Sequence, residues 1–306
     1  MTSLSTTKSR PSHLAVVGEI VQTERKSGYA ANTIAFFSGS GSPGRSTIAI
    51  NLATELVLAG RRVLLIDLDT LSPSIALNLG LIETPAGLAA VLRLVDQDRL
   101  TRAELARLTV TLDLGRAELH FLPGLNSPSR WEEISPERLE KFLSQISDQF
   151  DFVVLDLPQA TYSTAKLAHP ALSGATDRDA LLRAVLSNCG CLVTVSGADP
   201  IAAKRFLQAQ ELLVEIGRTE DQVVVVNRFR TSALGSNAKS ELEQSYLSLA
   251  KLRVDLFIPD EPDNLDRALR NGLPLALIKR SSTARVAIRQ LAEQIQLSSA
   301  NRQRRG

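Results

Sequence analysis

Residues 36–47 read Phe36-Phe37-Ser38-Gly39-Ser40-Gly41-Ser42-Pro43-Gly44-Arg45-Ser46-Thr47. This is the frame G-x-x-x-x-G-K-[ST] of a phosphate-binding loop, with Arg45 where the lysine belongs. Before it, Ile34–Phe37 is a short apolar run that predicts a buried strand. After it, Ile48, Leu52, Leu56 and Ala59 recur at helical spacing, and Gly60 closes the run as a C-cap. The glycines thus fall between a strand and a helix. Gly39, Gly41 and Gly44 let the backbone bend so that successive N–H groups of residues 39–47 face inward. With the positive end of the helix, those donors suit a di- or triphosphate. An ordinary Gly/Ser-rich βα turn is the alternative, and the aspartates below, taken with the flanking pattern, favour a nucleotide site.

Arg45 changes what the loop can do. Lysine is a compact point charge; arginine carries a broad planar fork with fixed hydrogen-bonding geometry. Nucleotide binding is expected to be retained or weakened, and transition-state stabilisation impaired. Two further segments point to the same place. Arg62–Asp69 reads R-V-L-L-I-D-L-D, a buried strand with Asp67 and Asp69 at its C-terminal end. Phe152–Pro158 reads F-V-V-L-D-L-P, a second with Asp156 at its end. Ligands of parallel α/β sheets sit outside the carboxyl ends of the strands. Ser46, Asp156 and Asp67 are therefore the candidate Mg²⁺ ligands. Asp67 or Asp69 is the candidate for orienting an attacking water, beside Arg45. An Asp after a strand also commonly caps a loop or helix.

The chain resembles the MinD/ParA family of deviant-Walker P-loop ATPases, and within it the CpaE/TadZ-like proteins of pilus and secretion systems. The segments carrying the resemblance are G-S-G-S-P-G-R-S-T-I-A-I-N-L-A, L-L-I-D-L-D, F-D-F-V-V-L-D-L-P, V-V-V-V-N-R, and F-I-P-D followed by N-G-L-P-L. It spans Asn32 to Leu297 and is least specific at its C-terminal end. The resemblance implies a P-loop fold, a mostly parallel twisted sheet with helices on both faces. It implies ATP or ADP with Mg²⁺, a homodimer, and a switch or scaffold for positioning or assembly. It places Ser40 where the family has a signature lysine, and Gln159-Ala160 where a phosphate-sensing glycine is usual. Together with Arg45, these departures lead us to expect weak or lost ATP hydrolysis. Asn227, Arg228, Pro259 and Asp260 match positions that face the base. Expected partners are a second copy and a pilus, secretion or positioning protein. The alternative is a ParA-like partition protein that binds DNA non-specifically.

Alternating strand and helix patterns independently predict parallel α/β architecture over 32–297, after a polar leader (1–31) and before a basic tail (298–306). The 306 residues carry a net charge of only +2 and 4% aromatics, which argues against base-stacking platforms. No apolar run reaches the ~20 residues of a membrane span, and no signal peptide is visible. A cytoplasmic protein is expected, with recruitment to the inner membrane face through a partner. Cys189 and Cys191 are expected as small core residues on one strand face. Arg267, Arg270, Lys279, Arg280, Arg285 and Arg289 form a basic cluster that could meet phosphate or simply be solvated.

Overall fold

The computed structural model describes residues 29, 32–41, 43–160, 179–219, 222–231 and 237–303. Ser42, most of the leader, most of the 159–177 connection and the last three residues lie outside the described set.

The strands are β1 (Thr33–Ser38), β2 (Val63–Asp67), β3 (Val110–Asp113), β4 (Glu118–Leu122), β5 (Phe152–Asp156), β6 (Cys191–Gly197), β7 (Val223–Phe229) and β8 (Leu256–Pro259). They form one eight-stranded sheet in the order β3-β4-β2-β5-β1-β6-β7-β8. Every pairing is parallel except β3 with β4. β1, β2, β5 and β6 are buried at every position, as continuous apolar runs require when helices cover both faces.

The helices are α1 (Arg45–Leu58), α2 (Ile75–Asn78), α3 (Gly87–Asp96), α4 (Arg102–Leu108), α5 (Pro136–Gln145), α6 (Asp179–Asn188), α7 (Pro200–Glu215), α8 (Ala238–Ala250), α9 (Pro262–Asn271), α10 (Leu275–Ile278) and α11 (Thr283–Gln303). Side-chain alternation along β1 sorts them. Ala35 and Phe37 join a core with Leu88, Leu139, Phe142 and Val185 of α3, α5 and α6. Ile34 and Phe36 join the other, with Ile48 and Leu52 of α1 and Ile288 and Leu291 of α11. Cys189 and Cys191 are buried and not disulfide-bonded, but lie in opposite layers. The expected shared face fails because β6 starts only at Cys191.

Three other expectations shift. β3 was not anticipated: its half-exposed V-T-L-D pattern is that of a short edge strand on the rim. The expected helix from Pro136 to Phe150 stops at Gln145. The last helix continues to Gln303, past the expected boundary at Leu297.

Asn51 and the segment N-G-L-P-L each gain a structural reason. Asn51 of α1 accepts the Leu275 N–H at 2.8 Å and donates to the Thr47 carbonyl at 2.8 Å. It thereby fastens N-G-L-P-L to the first turn after the loop. Gly272 of that segment has φ +61°, and a Cβ there would come within 2.8 Å of the Gly80 backbone. Gly80 follows the C-terminal end of α2, so this contact fastens that end of the helix to the segment after α9. Gly272→Ala is expected to cost roughly 2–4 kcal/mol through left-handed strain and backbone collision. Urea denaturation checks this, and an unchanged midpoint would contradict the close approach.

Candidate functional site

The sheet order places β1 between β5 and β6, with β2 beyond β5. The carboxyl ends of β1, β2 and β5 therefore converge, and register sets Asp67 directly beside Asp156. β1 leads through the glycine loop into α1, whose first residue is Arg45. Gly44, the N-cap, has φ +90° and no side chain caps the helix. The first-turn N–H groups of α1 are thus left for a ligand.

Behind the loop, Asn227 donates to the Pro43 carbonyl at 2.8 Å, and a Cβ on Gly44 would strike its amide. Asn227 is a buttress of the loop rather than a group facing outward. The next residue, Arg228, is exposed with φ +56°, a left-handed conformation unusual for arginine. It sits at an irregularity in the β7–β8 pairing. Arg228 and Pro43 line two adjoining cavities. The first, about 290 Å³, is bounded by Gly44, Arg45, Ser46, Thr47, Asp69 and Gln159 among others. The second, about 180 Å³, is bounded by Gly41, Asp199, Arg230 and Asp260 among others. Asp260 is paired with Arg230 at 3.4 Å, and Pro259 ends β8 opposite Phe229. Ser40 is half-buried and brings no cation to the mouth.

Arg45 turns inward. Its Nε donates to Asp156 Oδ1 at 2.7 Å, its Nη2 to Asp69 Oδ2 at 2.9 Å, and its Nη1 to Ser38 Oγ at 3.3 Å. It is 8% exposed. Burial opposes its charge, but Asp156 and Asp69 more than offset this and raise its pKa. Ser46 Oγ donates to the other Asp156 oxygen at 2.5 Å. Burial pushes Asp156 upward, while Arg45 and the Ser46 hydroxyl pull it down.

Asp67 has a different task. Its Oδ1 accepts the Asp69 N–H at 3.1 Å, and its Oδ2 accepts those of Ser74 and Ile75 at 3.0 and 3.1 Å. It shapes the start of α2. Burial and the Asp156 carboxylate push its pKa up to about 8, against the pull of its N–H partners. Asp69 Oδ1 holds the turn at Leu71 and Ser72 through bonds of 2.9 Å each.

These positions decide whether a magnesium nucleotide fits. The expected metal set was Ser46, Asp156 and Asp67. Asp67 is spent on backbone, while Asp156 and Ser46 are tied to each other and to Arg45. No cluster of three acidic, His or Cys side chains suited to a metal occurs among the described residues. The divalent-cation half of the site does not fit, because a guanidinium already lies between its carboxylates. The phosphate-facing half keeps its helix N-terminus, its cavity and Arg228. Ala160, at the phosphate-sensing position, donates its N–H to the Ser38 carbonyl at 3.0 Å.

Sequence reasoning missed Ser38, Ser74 and Arg205. Ser74 Oγ donates to Ser46 Oγ at 3.2 Å. Arg205 on α7 packs its backbone on Gly39 and its guanidinium on Gly41. Nothing in the spacing of these residues marks them; only the folded sheet brings them together. The basic cluster is thinner than its sequence suggests. Arg285 is committed to the buried Glu55 at 2.6 Å, and Arg289 lies 3.8 Å from Glu293. No described helix is long and apolar enough to cross a membrane.

Comparison with known proteins bears on the family and the fold. Residues 34–275 match the family model described as CobQ/CobB/MinD/ParA nucleotide binding domain. The chain is 26% identical over 263 residues to the septum site-determining protein MinD of Bacillus subtilis, covering 86% of this chain and 88% of that protein. The ParA family ATPase of Chlorobium tepidum superposes with a TM-score of 0.68 at 20% identity, covering 86% of this chain and 99% of that one. MinD of Pyrococcus horikoshii, solved as a complex with Mg-ADP, superposes with a TM-score of 0.61 at 20% identity, covering 86% and 95%. Those two likenesses concern the fold. With its family model spanning the sheet from β1 to α10, the chain belongs to the CobQ/CobB/MinD/ParA nucleotide-binding family.

Proposed function

We propose that this chain is an ATP-binding, MinD/ParA-like positional or assembly switch in which hydrolysis is weak or lost. One observation carries this reading: at the cavity wall, the Arg45 guanidinium is folded back onto Asp69 and Asp156. The groups that would polarise a phosphate and position water are then occupied with one another. What remains, an uncapped α1 beside two adjoining cavities, suits binding more than turnover. A CpaE/TadZ-like role with a pilus or secretion partner accords with that balance, as does a homodimer. With Ser40 at the signature position, a dimer would draw on surfaces around the loop rather than on a cross-subunit lysine. The alternative is a ParA-like partition protein that binds DNA non-specifically; Arg285 is held by Glu55, which leaves Arg267, Arg270, Lys279 and Arg280 as the basic residues it would use.

The expected result is saturable ATP binding by calorimetry, with phosphate release in Mg-ATP near background. Brisk turnover that Asp69→Ala abolishes would sink the reading. Sedimentation with and without ATP tests the dimer: a monomer under both conditions removes that element.

A further inference from the structure

We infer that the Arg45 guanidinium takes the place of the divalent cation, so that this chain holds a nucleotide phosphate group without metal. The inference rests on the nucleotide-binding reading for its ligand, but its cation claim stands on geometry alone. Three features carry it. First, Arg45 bonds one carboxylate through Nε and another through Nη2, bridging β5 and the segment after β2 as a bound cation would. Second, Asp156 is fully buried and both its oxygens are taken, by Arg45 and Ser46, so a metal would have to displace a buried ion pair. Third, Asp67, the neighbouring carboxylate, is saturated by three backbone N–H groups and is not available in compensation.

Arg45 leaves the pair Asp69 and Asp156 with one net negative charge, but a dication added beside it would find both Asp156 oxygens already engaged. Arg228, the other arginine lining the cavity that Arg45 bounds, is exposed to solvent. Metal-free phosphate binding at a helix N-terminus needs only N–H donors and a nearby guanidinium.

Two measurements test this. Binding of a fluorescent ATP analogue to the wild-type chain is expected to agree within about twofold in EDTA and in Mg²⁺, because no metal site is vacated. Tightening by about tenfold or more in Mg²⁺ would overturn the inference. Independently, Mn²⁺ alone is titrated and read by electron paramagnetic resonance. Wild type should show no Mn²⁺ site that depends on Asp156. Arg45→Gln, and Arg45→Lys as the milder change should the first not fold, should gain one that Asp156→Asn removes. An Asp156-dependent Mn²⁺ site in wild type overturns the inference, as does its absence from both variants. If wild type binds no nucleotide in either buffer, the proposed function and the metal-free binding both fail, while the Mn²⁺ arm still decides the cation replacement.

Discussion

Arg45→Ala should lower the unfolding free energy by about 3–5 kcal/mol, the usual range when one partner of a buried ion pair is deleted. The loss comes less from the attraction removed than from what is left behind. Asp156 is 0% exposed and Asp69 5% exposed, and each would keep a carboxylate oxygen without its cation. Water can reach Asp69 from the cavity but not Asp156, so the cost concentrates at β5. Arg45→Lys should cost less than Arg45→Ala but more than a surface change. An ammonium on a thin stem cannot hold Asp156, Asp69 and Ser38 in one planar fork. Adding Asp156→Asn to Arg45→Ala should recover part of the loss by removing the stranded charge. Urea denaturation followed by circular dichroism reads all three. A loss under about 1 kcal/mol for Arg45→Ala would mean that the guanidinium contributes no more than a surface ion pair.

That network also marks how far a sequence can be read. The strand–loop–helix around Gly39–Gly44 was legible because three local signals agree: a β-branched and aromatic run, turn-forming glycines, and helical apolar spacing. The convergence of Asp67, Asp69 and Asp156 was legible from their shared place at strand ends. Their roles were not. Nothing in L-I-D-L-D says that Asp67 will spend both oxygens on the N–H groups of Asp69, Ser74 and Ile75, since two of those donors arrive from the far end of a loop. The direction of Arg45 was equally hidden. It depends on Asp156, which is 111 residues away and comes alongside only when β5 inserts between β1 and β2. The family resemblance implied a base-facing Asn227, yet its partner is a loop carbonyl 184 residues earlier. Local propensity fixes elements; which polar atoms meet is decided by strand order.

Asp67 is expected to contribute a fall in stability as pH rises between about 4 and 8. Its pKa moves from an ordinary 3.8 to about 8 in the fold. Burial is the largest contribution, followed by the Asp156 carboxylate across the β2–β5 pairing, with Asp69 adding to it. Arg45 is the cation of this group, but it bonds Asp156 and Asp69 rather than Asp67. A raised folded-state value means that the native chain keeps a proton which the unfolded chain has already released. The contribution is complete below the unfolded value and is lost as pH climbs through the folded one. For one proton the slope is about 1.4 kcal/mol per pH unit, so urea unfolding at pH 5 and pH 7 should differ by about 2–3 kcal/mol from this group. Asp67→Asn removes the titration but turns an amide NH₂ toward a backbone N–H. It should therefore be less stable at pH 5, by roughly 1–3 kcal/mol for the unsatisfied donor, yet show a flatter pH profile. The two consequences separate hydrogen bonding from protonation. Should the variant keep the wild-type slope, the proton resides elsewhere and Asp67 is an ordinary ionised cap for α2.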